Sequence, residues 1–133
     1  MRTLAAIGLV LLALAPGCSS SSAARDIAIS LRITVWPHGR GEGKVSYVWT
    51  LRCNPLGGTL PHGDRACYFL AVYPDLFEPV PRNAACTQIY AGPAVGYVRG
   101  TLRGRALRVF VRRSDGCELE RWDRVGFLFP RFV

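Results

Sequence analysis

From Ile27 to Val35 apolar and polar positions alternate: Ile27, Ile29, Leu31, Ile33 and Val35 against Ala28, Ser30, Arg32 and Thr34. A period of two places the first set on one face, which predicts a half-buried β-strand. The stretch from Trp36 to Gly43 is a turn region by its proline and glycines. Val45, Tyr47, Trp49, Leu51 and Cys53 then resume the alternation against Lys44, Ser46, Thr50 and Arg52, predicting a second strand antiparallel to the first. After a Gly/Pro-rich loop, Asp64 is placed to cap a short helix through about Val72, with Cys67, Leu70 and Ala71 forming one inward face. Tyr73-Pro74 ends it. Val95–Val98, a turn at Arg99-Gly100, and Thr101-Leu102 predict a hairpin, and Ala106–Val111 a longer strand. Ser114-Asp115-Gly116 reads as a turn and Val125–Phe129 as a short terminal strand. Sheet dominates, and neither an internal repeat nor a second domain is evident.

One stretch fits no period. Phe77 to Ala85 carries prolines at 79 and 81 and neither helical nor alternating spacing, so it reads as an exposed, conformationally restricted loop. It runs through Cys86-Thr87-Gln88 directly into the β-prone pair Ile89-Tyr90. Two readings are open on loop chemistry alone. Cys86 either staples a surface loop for stability, or anchors an extended segment that a protease cleft binds without releasing cut ends, with Gln88-Ile89 as the bond presented.

The 133 residues allow one domain. Met1-Arg2 and the apolar run Thr3–Ala15 are too short to span a membrane comfortably and fit an export signal, giving a leader and serine-rich tether over 1–24 and a folded domain over 25–133. Two cleavage sites compete. Leu14-Ala-Pro-Gly-Cys18 is similar to a lipoprotein box, which would end the signal at 17 and leave Cys18 as a lipidated mature N-terminus, with the serines 19–22 as a tether. Ser22-Ala-Ala24 is an ordinary small-residue site that would discard Cys18. Both place the domain outside the cytoplasm, secreted or lipid-anchored at the cell surface, where disulfides persist. The four remaining cysteines, 53, 67, 86 and 117, allow three pairings, of which proximity in sequence favours 53 with 67 and 86 with 117. On the chain-entropy estimate each such bridge contributes roughly 3 to 3.5 kcal/mol.

The chemistry of catalysis is sparse. The two histidines, His38 and His62, lie in Gly/Pro-rich loops, and no serine occupies a nucleophile-elbow context. With no Cys-x-x-Cys, zinc is disfavoured, so we expect no enzyme, metal or cofactor. The net charge is +8. Arg99, Arg103, Arg105, Arg108, Arg112 and Arg113 cluster without an intervening acid, reading either as a solvated strand face or as a surface for anionic envelope polymers. Nucleic acid is disfavoured for an exported chain without a binding motif.

Taken together, Leu51-Arg-Cys53-Asn-Pro-x-Gly-Gly-Thr59-x-Pro61, Ala66-Cys67, Cys86-x-x-Ile-Tyr90 and Asp115-Gly-Cys117-Glu118 resemble the Streptomyces subtilisin inhibitor family of exported serine-protease inhibitors, over about residues 31–129. The resemblance implies an α+β fold, a five-stranded antiparallel sheet with two short helices and two disulfides, Cys53–Cys67 and Cys86–Cys117. It implies a homodimer built through the sheets and subtilisin-like serine proteases as partners. It places the reactive bond at Gln88-Ile89, with Cys86, Thr87 and Tyr90 as protease-contacting neighbours. The chain departs from the family pattern at Thr87, where proline is frequent, and at Tyr90-Ala-Gly-Pro93, one residue longer than usual. The alternative function is an envelope-anchored binding module of the same fold without inhibitory activity.

Overall fold

The computed structural model describes residues 28–132. The leader, Cys18, the serine tether and the first residue of the predicted first strand lie outside them. Five strands form one antiparallel sheet in the order β3-β2-β1-β4-β5. They are β1 (Ile29–Trp36), β2 (Tyr47–Cys53), β3 (Gly57–Gly58), β4 (Val95–Leu102) and β5 (Arg105–Arg112). Two helices, α1 (Gly63–Val72) and α2 (Gly116–Arg124), lie on one face, α1 against β2 and α2 against β5. Disulfides join Cys53 to Cys67 and Cys86 to Cys117. The expected fold class is therefore the observed one.

The alternation in β1 does what period two requires. Ile29, Leu31, Ile33 and Val35 are buried while Ser30 and Arg32 face out. Leu51 of β2, Val98 of β4 and Val111 of β5 join them, and Leu70, Trp122, Val125, Leu128 and Phe129 close the core from the helical side. In β2 the periodicity is right but only its second half is covered. Tyr47 and Trp49 pack on Phe132 at the edge of the core, and Val45 lies outside the strand and exposed.

Four local readings are corrected. Residues 99–100 are not a turn: β4 runs unbroken, and Gly100 is there because a Cβ would sit 2.0 Å from the Ser30 carbonyl oxygen on β1. The hairpin turns instead at Arg103-Gly104, both with positive φ (51° and 75°), the combination a two-residue primed turn needs. Helix α1 starts at Gly63, capped by His62 in a left-handed conformation without a side-chain bond, so Asp64 is not its cap. Its buried face is Ala66 and Leu70, with Ala71 exposed, because the bridge from Cys67 to Cys53 turns that side toward β2. Ser114-Asp115-Gly116 opens α2: the Asp115 carboxylate accepts the Glu118 N–H at 3.0 Å, and the helix carries buried Trp122 inward. The terminal apolar run is a 3₁₀ turn, Gly126–Leu128, rather than a strand. Val125, Leu128 and Phe129 are all fully buried, and a run buried on all sides carries no period to read.

Candidate functional site

Between α1 and β4 the chain forms neither helix nor strand from Tyr73 to Ala94. Its first half is tied to the body of the protein. Leu76 is buried, the Arg121 Nε donates to the Glu78 carbonyl at 3.0 Å, and an Arg124 amine reaches the Asp75 carbonyl at 3.5 Å. Arg121 is itself aimed by Glu118, one turn earlier on α2, both of whose carboxylate oxygens accept from the Arg121 Nη1 at 2.9 and 3.0 Å. The helix that the sequence pattern missed therefore supports the loop.

The second half presents Thr87, Gln88, Ile89 and Tyr90 to solvent, Ile89 53 % and Tyr90 67 % exposed. The two are adjacent in the chain and together offer a small apolar surface to solvent. Three ties flank them. Cys86 is bonded to Cys117, with Cα atoms 5.3 Å apart. The Gly116 N–H donates to the Thr87 carbonyl at 2.9 Å, and the Ala91 N–H donates to the Arg113 carbonyl at 2.9 Å. Gln88, Ile89 and Tyr90 thus project between fixed points whose partners all lie in Arg113–Cys117. That short segment is held from both ends, by β5 on one side and the capped first turn of α2 on the other.

Gly116 allows the close approach. A Cβ there would lie 2.1 Å from the Thr87 hydroxyl oxygen, so any side chain would push the loop or turn Thr87. Asp115 holds the helix turn that carries Gly116 and Cys117. Its carboxyl is held below its ordinary value, chiefly because the Glu118 N–H bonds the charged form; desolvation opposes this, and smaller contributions from the Ser114 hydroxyl and the Cys117 N–H reinforce it. Beneath the loop the Arg113 guanidinium stands over the Trp122 ring, 5.7 Å from its centroid.

The predicted residues Cys86, Thr87, Gln88, Ile89, Tyr90 and Cys117 are brought together at this loop, while Cys53 and Cys67 join β2 to α1 elsewhere. Arg113, Gly116, Arg121 and Arg124 are additional supports. Only the Asp-x-x-Glu spacing of 115 and 118 signalled them in sequence, as a helix start. Cys86, Cys117 and Asp115 lie within 4.8 Å of one another, but the two sulfurs are bonded to each other, which removes the thiolates a metal would require.

No protein-family model matches the chain, and neither does any curated protein. Among solved structures the chain is similar to the crystal structure of Streptomyces caespitosus sermetstatin in complex with Bacillus licheniformis subtilisin. The two share 18 % identity over 78 % of this chain and 97 % of that one, with a TM-score of 0.49.

Proposed function

We propose that the protein is an exported inhibitor of subtilisin-like serine endopeptidases, offering Gln88-Ile89 as a bond that is attacked but not released. The observation that carries this is the arrangement of ties on either side of that bond, all of which end on Arg113–Cys117. A free peptide loses ordering entropy when a protease binds it, whereas this loop is ordered beforehand.

The same ties determine the fate of the bond after attack. The protease serine adds to the Gln88 carbonyl, its histidine passes the proton to the departing Ile89 nitrogen, and an acyl-enzyme forms on Gln88. On the acyl side the chain remains held through Thr87 and Cys86. On the amine side it remains held through Ala91. Both new ends stay on one rigid segment, so the Ile89 amine keeps its position beside the acyl carbon and reforms the peptide bond faster than water replaces it. Ile89 and Tyr90 supply exposed apolar surface for the leaving-group side of the cleft. Complexes of this kind bury about 1,600 Å² and are among the tightest known for that size.

Export rests on the leader and on two disulfides, and a lipid on Cys18 would hold the inhibitor at the surface it protects; mass spectrometry of the mature N-terminus checks this, a start at Arg25 excluding it. The functional test is titration of subtilisin with the purified protein. We expect stoichiometric loss of activity for the wild type and none for Gln88→Pro, with circular dichroism unchanged. Progressive recovery of protease activity as the chain is consumed would make the protein a substrate instead. The family resemblance also implies a homodimer built through the sheets, which light scattering of the purified protein tests.

A further inference from the structure

β5 is an edge of the sheet: β4 pairs with it on one side, and among the described residues no strand pairs on the other. The β4–β5 hairpin turns on the two residues Arg103-Gly104 and pairs Leu102 with Arg105. In a two-residue hairpin the residues flanking the turn exchange both of their ladder bonds, so the next pair, Thr101 with Ala106, is a non-hydrogen-bonded one. The N–H and C=O of Ala106 therefore point away from β4, to the open edge. Main-chain groups turned out in this way are a template for a further strand.

A groove of about 680 Å³ opens beside the first part of this edge, within the size range of ligand sites. Arg105 and Leu107 share one face of β5 and Ala106 takes the other, yet all three line it. A hollow reached from both faces lies at the edge itself, where the Ala106 main chain is turned out. Residues 73–79 form its far wall and, among the described residues, make no backbone hydrogen bond to β5. The floor is apolar: Leu70 of α1 is buried, and Phe77 and Leu107 are half-buried against the core. At the turn end stand two cations. Arg103 donates to the Leu70 and Ala71 carbonyls at the end of α1, while Arg105 is exposed. Neither is in an ion pair among the described residues, and Glu78 is the one acid of the lining.

These features select the occupant. Main-chain groups in ladder spacing are matched by another extended polypeptide. A second copy of this edge is disfavoured, because β5 carries arginines at 105, 108 and 112 and no acid. Residues two apart on a strand share a face, so a leucine-sized side chain beside Leu107 puts its second neighbour beside Arg105. We propose that the open edge of β5 takes up an extended peptide as an antiparallel sixth strand, with an apolar residue on the groove floor and an acidic residue two positions away at Arg105. β5 runs about 24 Å from Arg105 to Arg112, and the protease-binding loop is fixed beyond its far end, on Arg113–Cys117. Either assignment can therefore fail alone.

The test uses the intact protein and the end-blocked peptide Thr-Glu-Thr-Leu-Thr-Glu-Thr as the probe, by titration calorimetry. We expect saturable one-to-one binding. N-methylation of the two threonines beside the leucine removes main-chain donors but keeps the leucine and the charges, and should weaken binding roughly tenfold. Ala106→Pro removes the outward N–H on the protein side and spares the ladder to β4. It should weaken binding to a similar degree, with circular dichroism and subtilisin inhibition unchanged. Should that variant misfold, the methylated peptide reads the same bonds on the unaltered protein. Arg105→Gln should weaken binding about tenfold, whereas Arg65→Gln on α1, the same change in net charge, should not. Equal losses for the two would reduce the effect to overall charge and overturn the site. Binding indifferent to N-methylation would overturn strand addition, and absence of binding by the unmodified peptide would overturn the proposal outright. A dimer of the free protein that Ala106→Pro dissociates would assign the edge to a second copy.

Discussion

The two disulfides enclose loops of different length and, on this account, have different duties, which makes their separate removal a decisive comparison. Cys53 and Cys67 are 14 residues apart and Cys86 and Cys117 are 31 apart. The chain-entropy estimate gives about 3 kcal/mol for the shorter bridge and only about 0.7 kcal/mol more for the longer. Both losses leave a domain of ordinary stability mostly folded. Replacing either pair by alanine should therefore lower the urea midpoint by similar amounts, with a modest rise in m-value as the unfolded chain loosens. Their effects on a protease should not be similar. Without Cys53–Cys67 the Gly116–Thr87 and Ala91–Arg113 hydrogen bonds and the Cys86–Cys117 bridge remain, and the folded fraction should still inhibit subtilisin stoichiometrically. Without Cys86–Cys117 the acyl side of the loop is held by one backbone hydrogen bond, a net contribution of about 1 kcal/mol. The acyl half can then swing away from the amine, and the protein should be cleaved at Gln88-Ile89 and turned over. Residual protease activity followed with time, alongside mass spectrometry of the chain, separates the two. If both double variants lose inhibition in proportion to their unfolded fraction, the bridge at Cys86 only stabilises the fold and the reasoning fails.

Gln88 offers no charge to a trypsin-like pocket, whose buried carboxylate would be left unpaired at a cost of several kcal/mol. Gln88→Lys should therefore improve trypsin inhibition by several powers of ten, measured as Kd, and an unchanged Kd would show that another residue fills the pocket. Gly116→Ala should weaken subtilisin inhibition about tenfold by displacing Thr87, and Gly116→Ala combined with Thr87→Ala should recover much of it, since the clash is with the Thr87 hydroxyl; additive losses would argue against that contact. Asp115 has a folded-state pKa below its unfolded value near 3.9, so the stability it lends is complete above about pH 4 and is lost as pH falls through the lower folded value. Asp115→Asn should flatten that part of the acid limb in a pH series of urea melts, while an identical limb would mean that the carboxylate is not what holds the first turn of α2.

The strands were legible where one face is buried and the other wet, as in β1. They were misread where glycine has two meanings: Gly100 marks a close approach to β1, although Arg99-Gly100 reads equally well as a turn. The helix α2 was signalled by Asp115 and Glu118 but masked by the turn-forming Ser114 and Gly116. At the loop, the exposure of Thr87 to Tyr90 was legible, because two prolines and the absence of any period mark a surface segment. The supports from Arg113 and Gly116 were not, since a main-chain carbonyl and N–H are common to every residue and acquire a partner only through tertiary structure.

The central claim is that both ends of a cut Gln88-Ile89 bond remain held on Arg113–Cys117, and it is tested most directly by running the reaction backwards. Protein cleaved at that bond, with its disulfides intact, is incubated with a catalytic amount of subtilisin beside a sample that starts uncut, and the intact fraction is followed by mass spectrometry. The account predicts that the cut protein is partly resealed and that both samples converge on one ratio of intact to cleaved chain. One-way hydrolysis, with no intact chain ever formed from the cleaved sample, would contradict it.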